Sequence, residues 1–548
     1  MAYTINQKPV LRAGGEQTPP PVQSQAPVQA PSQPATESKP VSTNQQFGMR
    51  DIPESEKHKS MTPAEMSAKL ARGELMYGPL PPIPTMDIFD GLKFDYCDGL
   101  RVYIPPVPQG QPKKKYHVHI VEHRFGVVIH SSIMESDNYI TTIQKFYTEF
   151  DLYVVREASP INDDPFFEQL AQEHEASIDN IRAIYEITRR PEVTKEITEQ
   201  EFKAKHPELT EKEKLVYHNL VQIIFDYTAE NYKFFHRFDP KDKEIMVQLP
   251  VGTIGDSVGW FAYVERFQKK TGAKIICVMN PIISILFKAQ YPEITFIEPK
   301  DTSKYTPYAC YKIGLFFKGN TTDQPYDFRY IGNHRTASKI LDTNDDDIAP
   351  RVDLSAPRQI KDPYVCIAVQ ASAFCKLWSN PNGWHEVIAH LKSIGYRVLC
   401  IDKEPVTGQG IVVNHIPWGV EDFTGNKPLQ ERINLLKDCD FFIGLSSGVS
   451  WLAWCAQCPV VMISGFTNPF NEFYTPYRVI NTLFCHGCWN DERCDFDHYD
   501  YMWCPRHKGT DKAYECERTI SARHVLNVIE TIPAYQAQKK RFEEGLSK

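Results

Sequence analysis

The sequence predicts an α/β protein with two parallel β-sheets, each covered by helices. Three stretches carry this prediction, because each places an apolar strand, a glycine-containing turn, a helix and a second strand in that order. They read IMVQLPVGTIGDSVGWFAYVERFQKKTGAKIICVMN, YVCIAVQASAFCKLWSNPNGWHEVIAHLKSIGYRVLCID and DCDFFIGLSSGVSWLAWCAQCPVVMISG. Apolar strands that alternate with helices form parallel sheets buried on both faces. We therefore expect two Rossmann-like domains facing each other across a cleft.

Composition and charge exclude several functions. The net charge is −8 over 548 residues, so no basic field is available to hold nucleic acid or anionic lipid. The longest apolar run, IICVMNPIISILF, is shorter than the roughly 20 residues that a membrane-spanning helix needs. The N-terminus lacks a secretory signal, and most cysteines lie in apolar runs, as free thiols do in a reducing compartment. We predict a cytoplasmic protein with neither membrane insertion nor a nucleic-acid partner.

The order of segments follows from changes in pattern along the chain. Residues 1–85 are rich in Pro and Gln and predict a disordered arm. Residues 86–160 read as a β-rich domain, in which YHVHIV and GVVIHSS flank a hairpin turn. Apolar spacing predicts a helical connector next. The further predicted boundaries are 161–244 for the connector, 245–350 and 351–483 for the Rossmann-like domains, 484–520 for a metal finger and 521–548 for a C-terminal helix.

The turn LPVGTIGDSVGW follows the first strand of the first sheet. It carries Thr253, Gly255 and Asp256, and a helix is predicted from about Ser257. Ligands bind at the carboxyl ends of parallel strands, so these residues are candidates for a substrate site, with Asp256 as its base. The alternative for Asp256 is an ordinary N-cap. The glycines do not form a G-x-G-x-x-G fingerprint, which disfavours a dinucleotide cofactor.

The segment QASAFCKLWSNPNGW places Lys376 just after the strand YVCIAV. A lysine at this edge of a sheet can neutralise a phosphate as a compact charge. The alternative is a solvated loop lysine. The neighbouring aromatic residues Phe374, Trp378 and Trp384 favour a partly enclosed site.

The segment FFIGLSSGVSWLAW ends a strand at Ser446, Ser447 and Gly448, where a helix begins. Free backbone N–H groups and the helix dipole make such a turn an anion site, with ordinary serine capping as the alternative. The three turns together favour a sugar-nucleotide pyrophosphate held by the second domain and an aspartate base in the first. Trp451 and Trp384 are candidates for walls of the donor pocket.

The C-terminal cysteine cluster predicts a metal site. A Cys-x2-Cys pair and two more thiols at loop-length spacing indicate four thiolate ligands rather than disulfides. The predicted ligands are Cys485, Cys488, Cys504 and Cys516, while Cys494 is left over and His486, His498 and His507 are potential substitutes. Four thiolates suit zinc or a single iron equally. Because no coordination position stays open, the site is structural or redox rather than hydrolytic.

Together, GTIGD, FCKLW, GLSSGVSWLAW and CHGC with two further cysteines resemble the bacterial autotransporter heptosyltransferases, over residues 86 to about 535. The resemblance implies a GT-B fold and transfer of heptose from ADP-heptose to serine hydroxyls of an autotransporter passenger in the bacterial cytoplasm. It implies one ferric iron per chain in the four-cysteine finger and a homo-oligomeric ring, dodecameric in the family. By motif position, Asp256 corresponds to the general base and Lys376 to a nucleotide-sugar ligand.

We therefore expect an inverting transfer in which Asp256 deprotonates the serine hydroxyl. Lys376 and the backbone amides of 446–448 would stabilise the leaving diphosphate, so that no catalytic divalent ion is required. Two alternatives stay open. The chain could be a GT-B transferase that uses another nucleotide sugar, or a non-catalytic metal-finger scaffold.

Overall fold

The computed structural model describes residues 86–97, 99–142, 149–157, 164–190, 193–250, 252–315, 326–497 and 499–546. All of these residues belong to one compact unit of the chain. The arm predicted over 1–85 lies outside them. Within the described ranges, no helix combines the length and the apolar character needed to cross a membrane.

The N-terminal region forms two antiparallel sheets. Their strands are β1 Met86–Asp87, β2 Lys93–Asp95, β3 Arg101–Ile104, β4 Lys115–Glu122, β5 Val127–Glu135, β6 Asn138–Thr141, β7 Phe150–Arg156 and β8 Lys233–His236, with a 3-10 helix over Phe89–Gly91. The strand orders are β1-β2-β3-β6 and β5-β4-β7-β8. β4 and β5 form the predicted hairpin. Alternate residues of β4, among them Val118 and Ile120, are buried, as a strand with one face on the core requires.

A helical module lies between β7 and β8. Its helices are Pro165–Glu173, Ile178–Thr188, Lys195–Lys205 and Glu211–Asn231. Each begins after a side chain that accepts a backbone N–H, as Thr210 does in a capping box with Glu213. Their apolar faces pack on one another through residues such as Ile184 and Ile224. Because β8 pairs with β7, the module is an excursion from the second antiparallel sheet.

The first parallel sheet follows. Its strands are β9 Glu244–Gln248, β10 Lys274–Val278, β11 Thr295–Ile297 and β12 Ala309–Lys312. Its helices are Ile254–Thr271, Pro281–Ser284, Phe328–Ile331 and Arg335–Ile340, with a 3-10 helix over Pro299–Lys304. The strand order is β11-β10-β9-β12. The chain runs outward from β9 through β10 to β11 and returns on the other side for β12, so the direction of winding reverses between β9 and β12. Open α/β sheets bind ligands at such a switch point.

The second parallel sheet has six strands in the order β17-β14-β13-β18-β19-β20. They are β13 Tyr364–Ile367, β14 Arg397–Cys400, β17 Glu421–Asp422, β18 Phe442–Leu445, β19 Val460–Ile463 and β20 Arg478–Val479. A separate hairpin consists of β15 Val406–Gln409 and β16 Val412–His415. Here the winding reverses between β13 and β18. The two parallel sheets predicted from the sequence are confirmed.

The remaining helices complete the second half. They are Gly383–Ser393, Leu429–Leu436, Gly448–Cys455, Glu515–Arg518, Ala522–Ile529 and Pro533–Leu546, with 3-10 helices over Phe374–Lys376 and Cys488–Asn490. The C-terminal helices return to this sheet and bury Val525, Ile529 and Tyr535 against one of its faces. Fully burying one such aliphatic side chain contributes about 1.5–3 kcal/mol. The other face shares a continuous core with the first parallel sheet, through residues such as Cys366 and Leu399.

Candidate active site

Asp256 lies in the first turn of helix Ile254–Thr271, beside the switch point of the first parallel sheet. The helix begins at Ile254 rather than at about Ser257, and Thr253 occupies the N-cap position. The alternative interpretation of Asp256 as an N-cap is therefore wrong. Its carboxylate Oδ2 instead accepts a hydrogen bond from Thr253 Oγ1 at 2.5 Å.

The electrostatic environment of Asp256 favours a base. Protein atoms surround its carboxyl group, although part of the residue's surface reaches solvent. Burial raises the pKa of Asp256 above its ordinary value, and the hydrogen bond from Thr253 and the positive charge of Lys376 partly oppose that rise. A carboxylate with a raised pKa accepts a proton more readily. Lys376 is thus within electrostatic range of Asp256.

Lys376 ends the short 3-10 helix Phe374–Lys376, which follows β13 at the switch point of the second sheet. Its Nζ lies 5.6 Å from the centroid of the Phe466 ring and 5.9 Å from that of Trp489. These distances are within the range of a cation–π interaction. The lysine is therefore half-buried against two aromatic faces rather than extended into solvent.

The aromatic residues predicted to enclose Lys376 make contacts with other partners. Phe374 packs edge-on against Tyr514. Trp378 is buried, donates its Nε1 hydrogen to the carbonyl of Ile520 and forms a T-shaped pair with Trp384 at 4.9 Å. The enclosure itself is found, but Phe466 and Trp489 provide it from segments distant in sequence. Trp384 as a wall of the donor pocket stays a prediction.

Ser446, Ser447 and Gly448 lie at the carboxyl end of β18, across the switch point from Lys376. The Ser447 hydroxyl occupies the N-cap position of helix Gly448–Cys455 but makes no capping bond. Among the described residues it is buried without a hydrogen-bond partner. The N–H groups of Ser447 and Ser450 donate to the carbonyls of Leu445 and Ser447, so the unused hydroxyl and the N–H groups of Gly448 and Val449 are the candidate anion donors at this helix start.

A buried ion pair that sequence reasoning missed supports this turn. Glu472 is 2% exposed, accepts a hydrogen bond from Ser446 Oγ at 2.5 Å and pairs with Arg478 at 2.7 Å. Burial alone would raise the pKa of Glu472, but the charge of Arg478 and the hydrogen bonds from Ser446 and Asn471 hold it below its ordinary value. Glu472 belongs to no motif, so no local pattern indicates its role.

Glycines let the two halves meet at this site. A Cβ on Gly255 would lie 2.8 Å from Trp451 Cδ1, and one on Gly448 would lie 2.9 Å from Ile254 Cβ. Both distances are shorter than van der Waals contact allows, so only glycine permits the two helix N-termini to touch. Trp451 is 6% exposed and packs against Gly255. Its predicted role as a wall of the donor pocket stays a prediction.

The cysteine segment brings several ligand-type atoms together. Among the residues that the structure describes, ligand atoms of Cys485, His507 and Glu515 all lie within 4.8 Å of one another. His507 is one of the substitutes expected from the sequence, whereas His498 lies outside the described residues and His486 Nδ1 contacts the carbonyl of Phe484.

The other predicted thiol ligands lie in the same region. Burial raises the pKa of Cys488 and of Cys516, and the neighbouring Cys485 thiol adds to both shifts. Cys504 is buried close to Tyr514. Cys494 also lies near Cys488. The structure therefore brings cysteines of the segment into proximity, while a closed set of four thiolates stays a prediction.

A cavity of about 500 Å³ lies beside this segment, and its lining includes Asn468, His486, Asp491 and Arg506. Neither Asp256 nor Lys376 lines it. We place the candidate active site at these two residues, because each lies at the switch point of its own parallel sheet. The cavity, by contrast, is a depression next to the cysteines.

The fold and the site have counterparts in known proteins. The family model for glycosyltransferase family 9 (heptosyltransferase) matches residues 326–497, which include Lys376 and the turn 446–448. This match, together with two parallel sheets that carry polar groups at both switch points, identifies the molecule as a glycosyltransferase with a GT-B-like fold.

Three curated relatives narrow the class. The autotransporter heptosyltransferase Aah of Escherichia coli is 38% identical over 462 residues, 84% of this chain and 98% of Aah. TibC of E. coli O78:H11 is 54% identical over 289 residues, 53% of this chain and 71% of TibC. BimC of Burkholderia thailandensis, described as an inactive autotransporter heptosyltransferase, is 36% identical over 304 residues, 55% of this chain and 71% of BimC. The chain belongs to the autotransporter heptosyltransferases, which confirms the family resemblance.

Solved structures agree with this assignment. The crystal structure of TibC, described as an iron-containing dodecameric glycosyltransferase, superposes with a TM-score of 0.67 at 38% identity over 83% of this chain and 99% of TibC. A second TibC structure contains ADP-D-beta-D-heptose and also gives a TM-score of 0.67, at 37% identity over 84% of this chain.

Proposed function

We propose that this protein transfers heptose from ADP-heptose to serine hydroxyl groups of an autotransporter passenger, with inversion at the anomeric carbon. One observation carries the proposal. Asp256 and Lys376 follow strands at the switch points of two different parallel sheets, and the start of the helix that carries Asp256 touches the turn 446–448, because a Cβ on Gly448 would lie 2.9 Å from Ile254 Cβ. The half at 245–350 would receive the acceptor and the half at 351–483 would hold the donor.

Asp256 performs the first role in the mechanism. Its Oδ atoms accept the proton of the serine hydroxyl while the serine oxygen forms a bond to the anomeric carbon. Burial favours the protonated product of this step, because it raises the pKa of the carboxyl group. Thr253 fixes the orientation of the carboxylate through its hydrogen bond. Base catalysis of this kind contributes about 10²- to 10⁴-fold.

Lys376 and the turn 446–448 perform the second role. As the bond between the anomeric carbon and the diphosphate oxygen breaks, its electron pair and the negative charge remain on the departing ADP. The Lys376 ammonium group and the N–H groups at the start of helix Gly448–Cys455 are available to bind that charge. Fixed donors directed at developing charge are often the largest catalytic term. The carboxylate of Glu472 accepts from Ser446 and so helps to fix the geometry of this turn.

We assign the cysteine segment to a structural iron, with zinc as the alternative. The donors fit such a cation, because thiols and an imidazole lie close together and these are the ligands that such metals prefer. Cys485, Cys488, Cys504 and Cys516 would hold it, and it would crosslink the segment rather than contact the substrates. In the alternative ligand set, Cys485 is joined by His507 and Glu515 in place of the other thiols.

The proposal also places the enzyme in the cytoplasm, as a homo-oligomeric ring like the TibC dodecamer. None of the fourteen cysteines forms a disulfide, including the closely spaced pair Cys439 and Cys458, with Sγ atoms 3.3 Å apart. Unpaired thiols at such distances are typical of a reducing compartment. Sedimentation of the purified protein would measure the number of subunits.

A second candidate function is a non-catalytic scaffold on the same fold, which the kinship with the inactive BimC favours. Co-expression with a serine-containing autotransporter passenger, followed by incubation with ADP-heptose and intact-mass analysis, separates the two. The transferase adds whole heptose units and releases ADP. A scaffold leaves the passenger mass unchanged, and use of another nucleotide sugar gives a different increment.

A further inference from the structure

We infer that Phe466 and Trp489 are positioning residues for Lys376, through which the cysteine segment shapes the donor site. The inference rests on the proposed function, because it assigns Lys376 to the donor diphosphate. Phe466 and Trp489 are 2% and 8% exposed and lie 5.6 Å and 5.9 Å from the lysine Nζ. They come from the loop after β19 and from the cysteine segment, respectively. We call the two rings the aromatic cradle.

The cradle holds the lysine without neutralising it. Over the part of the chain described here, no carboxylate forms an ion pair with Nζ within 4 Å, and Asp256 acts on it only from further away. A carboxylate partner would compete with phosphate for the ammonium group. Aromatic faces attract the cation but leave its three N–H donors free. The cradle therefore restricts a flexible side chain and keeps its charge available for an anionic ligand.

Trp489 is fixed from two directions. Its Nε1 donates a hydrogen bond to Asn333 Oδ1 at 3.0 Å, and its backbone N–H donates to the Phe466 carbonyl at 3.2 Å. Its neighbour Cys488 belongs to the proposed metal ligands. On the other side, the Asn490 side chain accepts a hydrogen bond from the backbone N–H of Asn468 at 2.9 Å. The ring is thus tied both to the helical region before the second sheet and to the loop after β19.

The cysteine segment also fixes Phe466. Glu517, which is fully buried, accepts hydrogen bonds from the backbone N–H groups of Gly465 at 2.7 Å and Phe466 at 2.9 Å. The Gly465 carbonyl accepts from the Gly487 N–H at 2.8 Å. A Cβ on Gly465 would lie 2.3 Å from the Cys516 carbonyl oxygen, so this loop is in direct contact with the segment. Both halves of the cradle therefore depend on the fold of the cysteine segment.

A double-mutant cycle on the full-length, metal-containing protein tests the inference, with ADP as the probe and calorimetry as the measurement. Trp489→Leu removes one face, and we expect it to weaken ADP binding about five- to tenfold. The same change in a Lys376→Met background should cost less than about twofold, because its effect acts through the lysine. Trp489→Phe keeps an aromatic face and should recover most of the affinity.

Phe202 supplies the matched control. It is 1% exposed in the core of the helical module and packs there against His206 and Tyr217, away from Lys376 and the cysteine segment. Phe202→Leu should lower the melting temperature as Trp489→Leu does and leave ADP affinity within about twofold, with unchanged metal content in both variants.

Equal losses of ADP affinity for Trp489→Leu in the wild-type and Lys376→Met backgrounds would contradict the inference that the cradle positions Lys376. A loss of metal that explains the whole loss of ADP affinity would contradict it as well. Wild-type protein that fails to bind ADP would overturn the proposed function and this inference together. Wild-type binding with additive losses would overturn the inference alone.

Discussion

The carboxyl group of Asp256 and the ammonium group of Lys376 influence each other across the junction of two parallel sheets. Burial raises the pKa of Asp256, and the charge of Lys376 counteracts part of that rise. The two residues are 120 positions apart in sequence, yet each follows the strand at which its sheet reverses direction. The proposed base and the proposed donor-binding cation are thus within electrostatic range of each other, as the proposed displacement requires.

Replacement of the base is the first test. Asp256→Asn keeps the size of the side chain and an oxygen that can accept from Thr253. We expect kcat to fall by about 10²- to 10⁴-fold, because the amide cannot take up the serine proton. ADP affinity should change little. Near-normal transfer by a folded variant would remove Asp256 from the mechanism.

The same substitution should affect stability in a pH-dependent way. The folded-state pKa of Asp256 is raised, so the native state binds the proton more tightly than the unfolded chain does. Its stabilising contribution is complete below the unfolded pKa of about 3.9 and is lost as pH rises through the folded value. Asp256→Asn should therefore melt above wild type near pH 7, with a difference that shrinks at low pH. Thermal unfolding at a series of pH values measures the difference in melting temperature between variant and wild type. A difference that stays constant with pH would contradict the prediction.

Close packing of the helix N-termini predicts a cost for Gly448→Ala. The added methyl would lie 2.9 Å from Ile254 Cβ, so one of the two helices must shift. We expect destabilisation by about 1–3 kcal/mol in urea unfolding, together with reduced transfer. Gly545→Ala is the control, because a Cβ there meets nothing within 4 Å. It should change stability by less than about 1 kcal/mol.

The buried Glu472–Arg478 pair predicts a pH dependence of stability that is opposite in sign to that of Asp256. The pKa of Glu472 is lowered in the fold, so its contribution is present above the unfolded value of about 4.3 and is lost as pH falls through the folded one. Glu472→Gln leaves Arg478 buried without a countercharge and should cost about 3 kcal/mol at pH 7. The difference in unfolding free energy between variant and wild type should become smaller below about pH 4. Equal differences in unfolding free energy at pH 7 and pH 3 would show that the charge of the pair does not contribute to stability.

Metal content distinguishes the two ligand sets of the cysteine segment. Four thiolates predict that Cys504→Ser loses the metal and that His507→Ala keeps it. The set of Cys485, His507 and Glu515 predicts the reverse. Elemental analysis of both purified variants decides between them, with Cys494→Ser as a control that should retain the metal in either case. We expect the thiolate pattern, accompanied by a lower melting temperature in Cys504→Ser.

Local sequence patterns predicted the sheets and the turns at their edges. Strand–turn–helix order places Asp256, Lys376 and Ser446–Gly448 at carboxyl ends of strands, because that geometry follows from chain direction alone. The helix that carries Asp256 begins at Ile254, three residues before the predicted start, and Thr253 takes the N-cap position without a side-chain capping bond, which no local capping pattern indicates.

Contacts between distant segments were beyond prediction. Nothing near Lys376 in sequence indicates Phe466 or Trp489, and the aromatic residues that do stand near it pack elsewhere. The same applies to Glu472, whose partners are set by how the loop after β19 folds back on β18 and β20. Such contacts depend on packing between elements, which local patterns do not determine.

Intact-mass analysis of a co-expressed autotransporter passenger tests the central claim most directly. With ADP-heptose available, wild-type protein should add heptose units to the passenger, and Asp256→Asn should modify at most about one hundredth as much passenger in the same time, while both proteins fold and bind ADP. A passenger of unchanged mass with the wild-type protein, or equal modification by the Asp256→Asn variant, would contradict the account.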